Sequence, residues 1–182
     1  QTDPKKKEQT ENITHGFALK VCDDHPEVAK VAGLFFVDHT TAKGEKYIYR
    51  IELLGTKSVG IISADESLSR LHAVAVPSAQ FRNRSVRLTF DVTSTRPEYS
   101  GYIIERSEDS LHFMRVNSEL LSFVKSQYET YKHELVFEDS IPQNEKMYWY
   151  RIRGYSYFGM EGPPSQIIRG KGKEEWNAYP VP

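Results

Sequence analysis

The sequence is poor in several features that define large functional classes. It has one cysteine, Cys22, which excludes an internal disulfide and a cysteine-based zinc cluster and suits a small buried side chain. Lysine and arginine number 24 against 25 aspartates and glutamates, so there is no basic surplus for nucleic acid or for an anionic membrane surface. The mean hydropathy is -0.57 and no long apolar run occurs, so we expect no membrane insertion.

Recognisable catalytic and metal-binding motifs are also missing from the sequence. None of the six histidines stands at metal-ligand spacing from another histidine or cysteine, and HExxH, CxxC, GxSxG and phosphate-loop patterns are absent. Paired carboxylates such as Glu138-Asp139 are adjacent on a predicted strand, so they point to opposite faces and do not share a substrate. The sequence therefore predicts a protein without catalytic residues, metal or cofactor.

The composition is that of a folded protein. The chain has 182 residues, 38% of them hydrophobic and 12% aromatic, with 11 tyrosines. This length corresponds to one large domain or two small ones, with enough apolar residues to form a core.

An internal repeat is the most informative pattern in the sequence. When residues 36–51 are shifted by 101 residues onto residues 137–152, six of the sixteen positions are identical. The identical pairs begin with Phe36 and Phe137 and end with Tyr-x-Tyr-Arg-Ile in both copies. A spacing of about a hundred residues is typical of a small β-sandwich rather than of a solenoid repeat.

The second half reads as a series of short strands. Residues 86–92 alternate apolar and polar side chains. Residues 147–153 place Tyr148, Tyr150 and Ile152 on one face, with Met147, Trp149, Arg151 and Arg153 on the other. Further strands are predicted at 102–106, 113–116, 134–139 and 166–169. Residues 95–101 and 154–165 are predicted as turn and loop from their glycines and prolines, while 117–133 fits either a helix or a long connection.

The N-terminal third has a different pattern. Residues 1–10 are predicted to be a solvated tail, and residues 11–31 two short helices separated at Pro26. Residues 68–78 are the predicted linker between the two halves.

The repeated segment resembles the strand F signature of fibronectin type III modules, in which a polar residue and a turn precede tyrosine-x-aromatic-arginine-aliphatic. The resemblance implies mainly-β, immunoglobulin-like sandwiches in tandem, preceded by a short helical segment. It also implies that Tyr47 and Tyr148 are tyrosine-corner residues, whose hydroxyls bond to upstream backbone. We accordingly divide the chain into helices plus a partial module (1–72), a complete module (73–172) and a tail or linker (173–182).

The first module contains only the back half of the repeat, and a half-sandwich does not bury its inner face. We expect the N-terminal helices, with apolar residues such as Phe17 and Val31, to cover that face. The alternative is that another domain or chain covers it.

The best candidates for partner binding lie in the loop after residues 147–153: Tyr155, Tyr157, Phe158 and Met160. Sandwich loops commonly carry recognition, and tyrosines give large contact area at low entropic cost. Their alternative role is structural, with Phe158 closing the sandwich end and the tyrosines packing on the neighbouring module.

The sequence therefore predicts a non-catalytic structural or interaction module, a spacer or docking unit for a protein partner. The resemblance places it in an extracellular, periplasmic or cell-surface protein. The alternative is an accessory carbohydrate-binding module of a glycan-degrading system, in which Tyr155, Tyr157, Trp149 and Trp176 would stack on sugar rings.

Overall fold

The computed structural model describes residues 4–52, 55, 59–64, 70–122 and 133–174. Two helices come first, α1 (Pro4–Asp24) and α2 (Pro26–Val31). They are followed in the described ranges by the strands β1 (Tyr47–Glu52), β2 (Val59–Ala64), β3 (Ser78–Arg82), β4 (Ser85–Asp91), β5 (Tyr99–Ser107), β6 (Met114–Arg115), β7 (Glu134–Ser140), β8 (Met147–Ser156) and β9 (Ile168–Lys171). Within those ranges no helix is both long and apolar enough to cross a bilayer.

Strands β3 to β9 form a β-sandwich of two antiparallel sheets. One sheet has the order β3-β4-β7 and the other the order β6-β5-β8-β9. The prediction of a mainly-β, immunoglobulin-like sandwich with a helical N-terminal segment is thus confirmed.

The strand predictions need four corrections. Strand β9 is Ile168–Lys171, where the sequence predicted a strand at 166–169. Residues 99–101, predicted as turn, begin β5, and residues 154–156, predicted as loop, continue β8. Glycine is needed at these strand positions because neighbouring side chains lie very close to the backbone. A Cβ atom at Gly154 would lie 2.2 Å from the ring of Tyr99, and a Cβ atom at Gly101 would lie 2.7 Å from the side chain of Leu120. Strand β3 was missed, since its sequence SAQFR follows directly on the predicted linker.

Strict alternation in the central strands builds the core. In β4, Val86, Leu88 and Phe90 are at most 2% exposed and face the sandwich interior, while the intervening residues are half-buried. Tyr148, Tyr150 and Ile152 of β8 meet them from the other sheet and are fully buried. Burying one such side chain contributes about 1.5–3 kcal/mol, so these two strands supply a large share of the hydrophobic stabilisation of the sandwich.

The predicted linker is not a free connection where the structure describes it. Val74 is buried in the core, and Leu71 packs against it. The backbone N–H of His72 donates to Glu98 at 2.8 Å, and the Tyr99 hydroxyl donates to the His72 carbonyl at 2.5 Å. Residues 70–77 therefore belong to the sandwich, while residues 65–69 lie outside the described ranges.

The ambiguous segment 117–133 starts as a connection that packs on β5. The Asn117 side chain accepts from the N–H of Ile104 at 2.8 Å and donates to the Tyr102 carbonyl at 3.0 Å. Leu121 then forms a bridge with Tyr102. Residues 123–132 lie outside the described ranges, so the helical alternative there stays a prediction.

Helix α1 is longer than predicted. It begins at Pro4, so most of the predicted solvated tail is helical, although its described side chains are exposed. The lysine, glutamate and glutamine residues before Thr10 favour a helix, and Thr10 bonds back to the Lys6 carbonyl at 2.8 Å. The predicted break is confirmed, since Pro26 stands in the first turn of α2.

The expectation that the helices cover the partial first module is wrong. Strands β1 and β2 pair with each other, and in the described residues they join no larger sheet. The predicted covering residues remain exposed, Phe17 at 68% and Val31 at 91%, as do Ile48 at 77% and Ile61 at 71% on the hairpin. The helices lie instead against the complete sandwich, where α1 contacts β5.

Candidate interaction surface

The β8–β9 loop projects the predicted partner-binding side chains at one end of the sandwich. Tyr155 is half-buried within β8, whereas Tyr157, Phe158 and Met160 follow the strand and are 37%, 66% and 49% exposed. The Ser156 hydroxyl accepts from the N–H of Phe158 at 3.3 Å and of Met160 at 3.0 Å. This turn fixes the loop backbone while leaving its apolar side chains outside.

The N-terminal segment lies on the same loop. The ring of Phe35 packs against that of Phe158 with centroids 6.0 Å apart. A Cβ atom at Gly159 would lie 3.0 Å from the ring of Pro26. The φ of Gly159 is +78°, which is in the left-handed region that favours glycine. Pro26, Phe35, Phe158, Gly159 and Met160 are called the helix–loop surface below.

Sequence reasoning placed Phe158 and Met160 in this region but missed Pro26 and Phe35. The ring of Phe158 contacts that of Phe35, and two thirds of the Phe158 side chain stays exposed. Phe158 is therefore not a buried plug at the end of the sandwich. No local pattern around Phe35 marks it as a neighbour of residue 158, because the contact depends on where the helices dock.

Beside the helix–loop surface, a polar cavity of about 130 Å³ lies between α1 and the sandwich. Its lining comes from both elements: Lys20, Asp23, Arg96, Tyr99, Ser100, Tyr102, Ser122 and Tyr157. Burial raises the pKa of Tyr99 and of Tyr102 to about 12, and burial also raises the pKa of Asp23. The phenols there are neutral donors at physiological pH.

A buried polar cluster joins the two sheets of the sandwich. The Asp139 carboxylate accepts from the Tyr150 hydroxyl at 2.6 Å and from the Arg106 guanidinium at 2.6 Å. Burial, followed by the hydrogen bond to Asp139, raises the pKa of Tyr150 well above 10. The sequence signature identified Asp139 and Tyr150 but not Arg106, which is distant in sequence.

The first copy of the repeat reproduces this geometry outside the sandwich. The Tyr49 hydroxyl donates to Asp38 at 3.0 Å, as that of Tyr150 does to Asp139. The Tyr47 hydroxyl accepts from the N–H of Ala42 at 2.7 Å, five residues upstream. The Tyr148 hydroxyl accepts from Gln143, also five residues upstream, at 3.3 Å.

The strand register is reproduced as well. Tyr49 of β1 lies opposite Ile62 of β2, just as Tyr150 of β8 lies opposite Ile168 of β9. A small residue, Ala64 or Gly170, faces the first tyrosine in each copy. The β1–β2 hairpin therefore has the geometry of β8 and β9.

The two copies differ in what surrounds them. Phe137 lies in β7 opposite Leu88, whereas Phe36 lies outside a strand and is 84% exposed. Strand β8 also has β5 on its other side, paired from Tyr99 to Ser107, and β1 has no such neighbour in the described ranges.

No protein-family model matches the chain, and no curated protein matches it in sequence. Among solved structures, a match to a β-1,2-glucanase from Parabacteroides distasonis covers 57% of this chain but 13% of the glucanase, at 16% identity and a TM-score of 0.41. An Fn3-like protein from Clostridium thermocellum matches at 16% identity, with 57% of this chain and 95% of that chain covered and a TM-score of 0.43. The chicken interferon gamma receptor alpha chain matches at 13% identity over 70% of this chain and 66% of its own, with a TM-score of 0.40.

Proposed function

We propose that the chain is a non-catalytic docking or spacer module of a secreted, periplasmic or cell-surface protein, and that it binds a protein partner through the helix–loop surface. The partner supplies an apolar side chain that packs beside Phe158 and Met160. The location outside the cytoplasm rests on the resemblance to fibronectin type III modules.

The observation that carries this proposal is the exposure of Phe158 and Met160 on a fixed loop. Phe158 is 66% exposed although it already contacts Phe35, so a partner can bury most of its ring. Large apolar side chains of this kind, supported by a rigid scaffold, are typical anchors of protein interfaces.

The contacts of two titratable pairs, Asp139–Tyr150 and Asp109–His112, support a structural role for those groups. The Asp139–Tyr150 pair is buried inside the sandwich. At the surface, the hydrogen bond from His112 lowers the pKa of Asp109, and the same bond raises the pKa of His112. The shifted groups in these pairs are engaged with each other, which is typical of structural contacts.

The polar cavity favours a second candidate function, the binding of a glycan. Hydroxyl and charged groups there, from Asp23, Arg96 and Tyr157, suit the donors and acceptors of a sugar ring. Of the other proposed stacking residues, Trp149 and Tyr155 are half-buried and six residues apart on β8, and Trp176 lies outside the described ranges.

A selection of peptides from a random library against the full chain tests the docking proposal. We expect the double variant Phe158→Ser/Met160→Ser to lose binding of the selected peptides by at least about tenfold, because it removes the apolar anchors. The matched control is Leu111→Ser/Met114→Ser, which changes two apolar residues that are at least as exposed and follow the other end of β5, and it should leave binding unchanged.

Peptides that bind equally well to the Phe158 and Met160 variant would contradict the proposal. A broad glycan array, probed with the same variants and with Asp23→Asn, separates the second candidate. Glycan binding that depends on Asp23 and not on Phe158 would replace the docking proposal.

A further inference from the structure

Among the described residues, no strand pairs with the edge of β1 that corresponds to the β5-paired edge of β8. Strand β8 lies between β9 and β5, and β1 has only the β9 equivalent, β2, in the described part of the chain. An isolated two-stranded hairpin is marginally stable in water, and an unpaired strand edge is a template for another strand. The side chains next to this edge are exposed, Ile48 at 77% and Ile51 at 58%.

The second copy shows which side chains such a neighbour provides. Opposite Ile152 of β8, strand β5 places Ile104, and opposite Arg151 it places Glu105. The Glu105 carboxylate forms an ion pair with the Arg151 guanidinium. The adjacent residues Ile104 and Glu105 of β5 therefore provide an apolar partner for Ile152 and an anionic partner for Arg151. In β1 the corresponding positions are Ile51 and Arg50.

Strand β1 itself carries the same dipeptide, Ile51-Glu52. If a second β1 strand runs antiparallel with Ile51 opposite Ile51, each Arg50 lies opposite Glu52 of the other copy. In this register Ile51 and Glu52 of one copy lie opposite Ile51 and Arg50 of the other. Ile104 and Glu105 of β5 lie opposite Ile152 and Arg151 of β8 in the same way.

We propose that the chain forms a symmetric dimer through its β1 edges, in the register centred on Ile51. The dimer joins two hairpins into a four-stranded sheet with the order β2-β1-β1-β2. A two-fold axis at Ile51 makes the interface self-complementary. If the strand pairing shifted by two residues, the two-fold axis would lie at Arg50 and the two Arg50 side chains would lie opposite each other. Like charges at opposite positions are destabilising, so charge favours the register centred on Ile51.

Arg50 and Glu52 already lie together on one face of β1, where their side chains form an ion pair at 2.5 Å. Both are more than half exposed, so the pair is available to exchange partners. In the dimer the same charges form two pairs across the interface, and the exposed apolar area around Ile51 is reduced.

Sedimentation equilibrium of the full chain tests this proposal. We expect the mass to rise from 21.0 kDa towards twice that value as the concentration increases. Glu52→Arg places arginines opposite each other at two positions and should raise the dissociation constant roughly tenfold or more. The double exchange Arg50→Glu/Glu52→Arg restores opposite charges and should restore the dimer.

Arg87→Glu is the matched control, because Arg87 pairs with Glu138 across strands on the exposed face of the sandwich and should leave the dimer unchanged. Urea unfolding, measured for every variant, shows that the sandwich remains folded, and rescue by the double exchange shows that Glu52→Arg acts on the interface rather than on the hairpin itself. A mass that stays at 21.0 kDa up to about 1 mM would overturn the proposal, since association weaker than that is below a useful affinity. A dimer that the double exchange fails to restore would overturn it as well.

Discussion

Replacement of Asp139 with alanine is expected to destabilise the sandwich by about 3–5 kcal/mol. The carboxylate is buried and bound by both the Tyr150 hydroxyl and the Arg106 guanidinium, each at 2.6 Å. Without it, the Arg106 side chain, 20% exposed, keeps its charge with no carboxylate beside it, and a buried phenol loses its acceptor. Urea unfolding followed by tryptophan fluorescence measures the difference.

The repeat supplies the matched control for this variant. Asp38→Ala removes the equivalent carboxylate from Tyr49, but Asp38 and Tyr49 are outside the buried core. We expect the unfolding free energy of the sandwich to stay unchanged, because solvent screens the interactions of this solvent-accessible carboxylate. Equal effects of the two substitutions would contradict the distinct roles assigned to the two copies.

Stability is expected to fall steeply as the pH rises above 10. Burial raises the pKa of Tyr99 and Tyr102 to about 12 and that of Tyr150 further, whereas the unfolded chain has the ordinary tyrosine pKa of about 10. Since the folded pKa is the higher one, the stabilisation is fully present below pH 10 and is lost as the pH rises towards the folded pKa.

The size of this effect follows from the number of phenols. Each contributes at most about 1.4 kcal/mol per pH unit above 10, and solvent screening lowers this value, so the three together lose several kcal/mol by pH 12. That is a large part of the stability of a domain, so the urea midpoint should fall markedly between pH 10 and 12. Urea midpoints together with phenolate absorbance measure it. Tyr102→Phe, which removes one of the three phenols, should lessen the fall, and a midpoint unchanged between pH 10 and 12 would contradict the prediction.

The sequence predicted the sandwich well because alternation has a direct physical cause. Residues of β4 and β8 alternate between a core face and an outer face, so hydrophobicity alone reveals these strands. Strand β3 has only Ala79 and Phe81 facing inwards and follows a proline-containing segment, so its pattern was too short to recognise.

The placement of the helices was not predictable in the same way. Their apolar residues indicated a buried face but did not specify which surface they contact. The outcome depends on Pro26 meeting Gly159 and on Phe35 meeting Phe158, which are contacts between residues far apart in sequence. The loop residues of the candidate surface were therefore predicted, but the half supplied by the N-terminal segment was not.

The complete sandwich is the cooperative core of the chain, whereas the β1–β2 hairpin repeats the geometry of β8 and β9 and, in the described residues, has one unpaired edge. Amide hydrogen exchange of the full chain at low micromolar concentration tests this most directly. We expect the amides of β8 to exchange only through global unfolding, and those of β1 to exchange by orders of magnitude faster. Equal protection of β1 and β8 under these conditions would contradict the account.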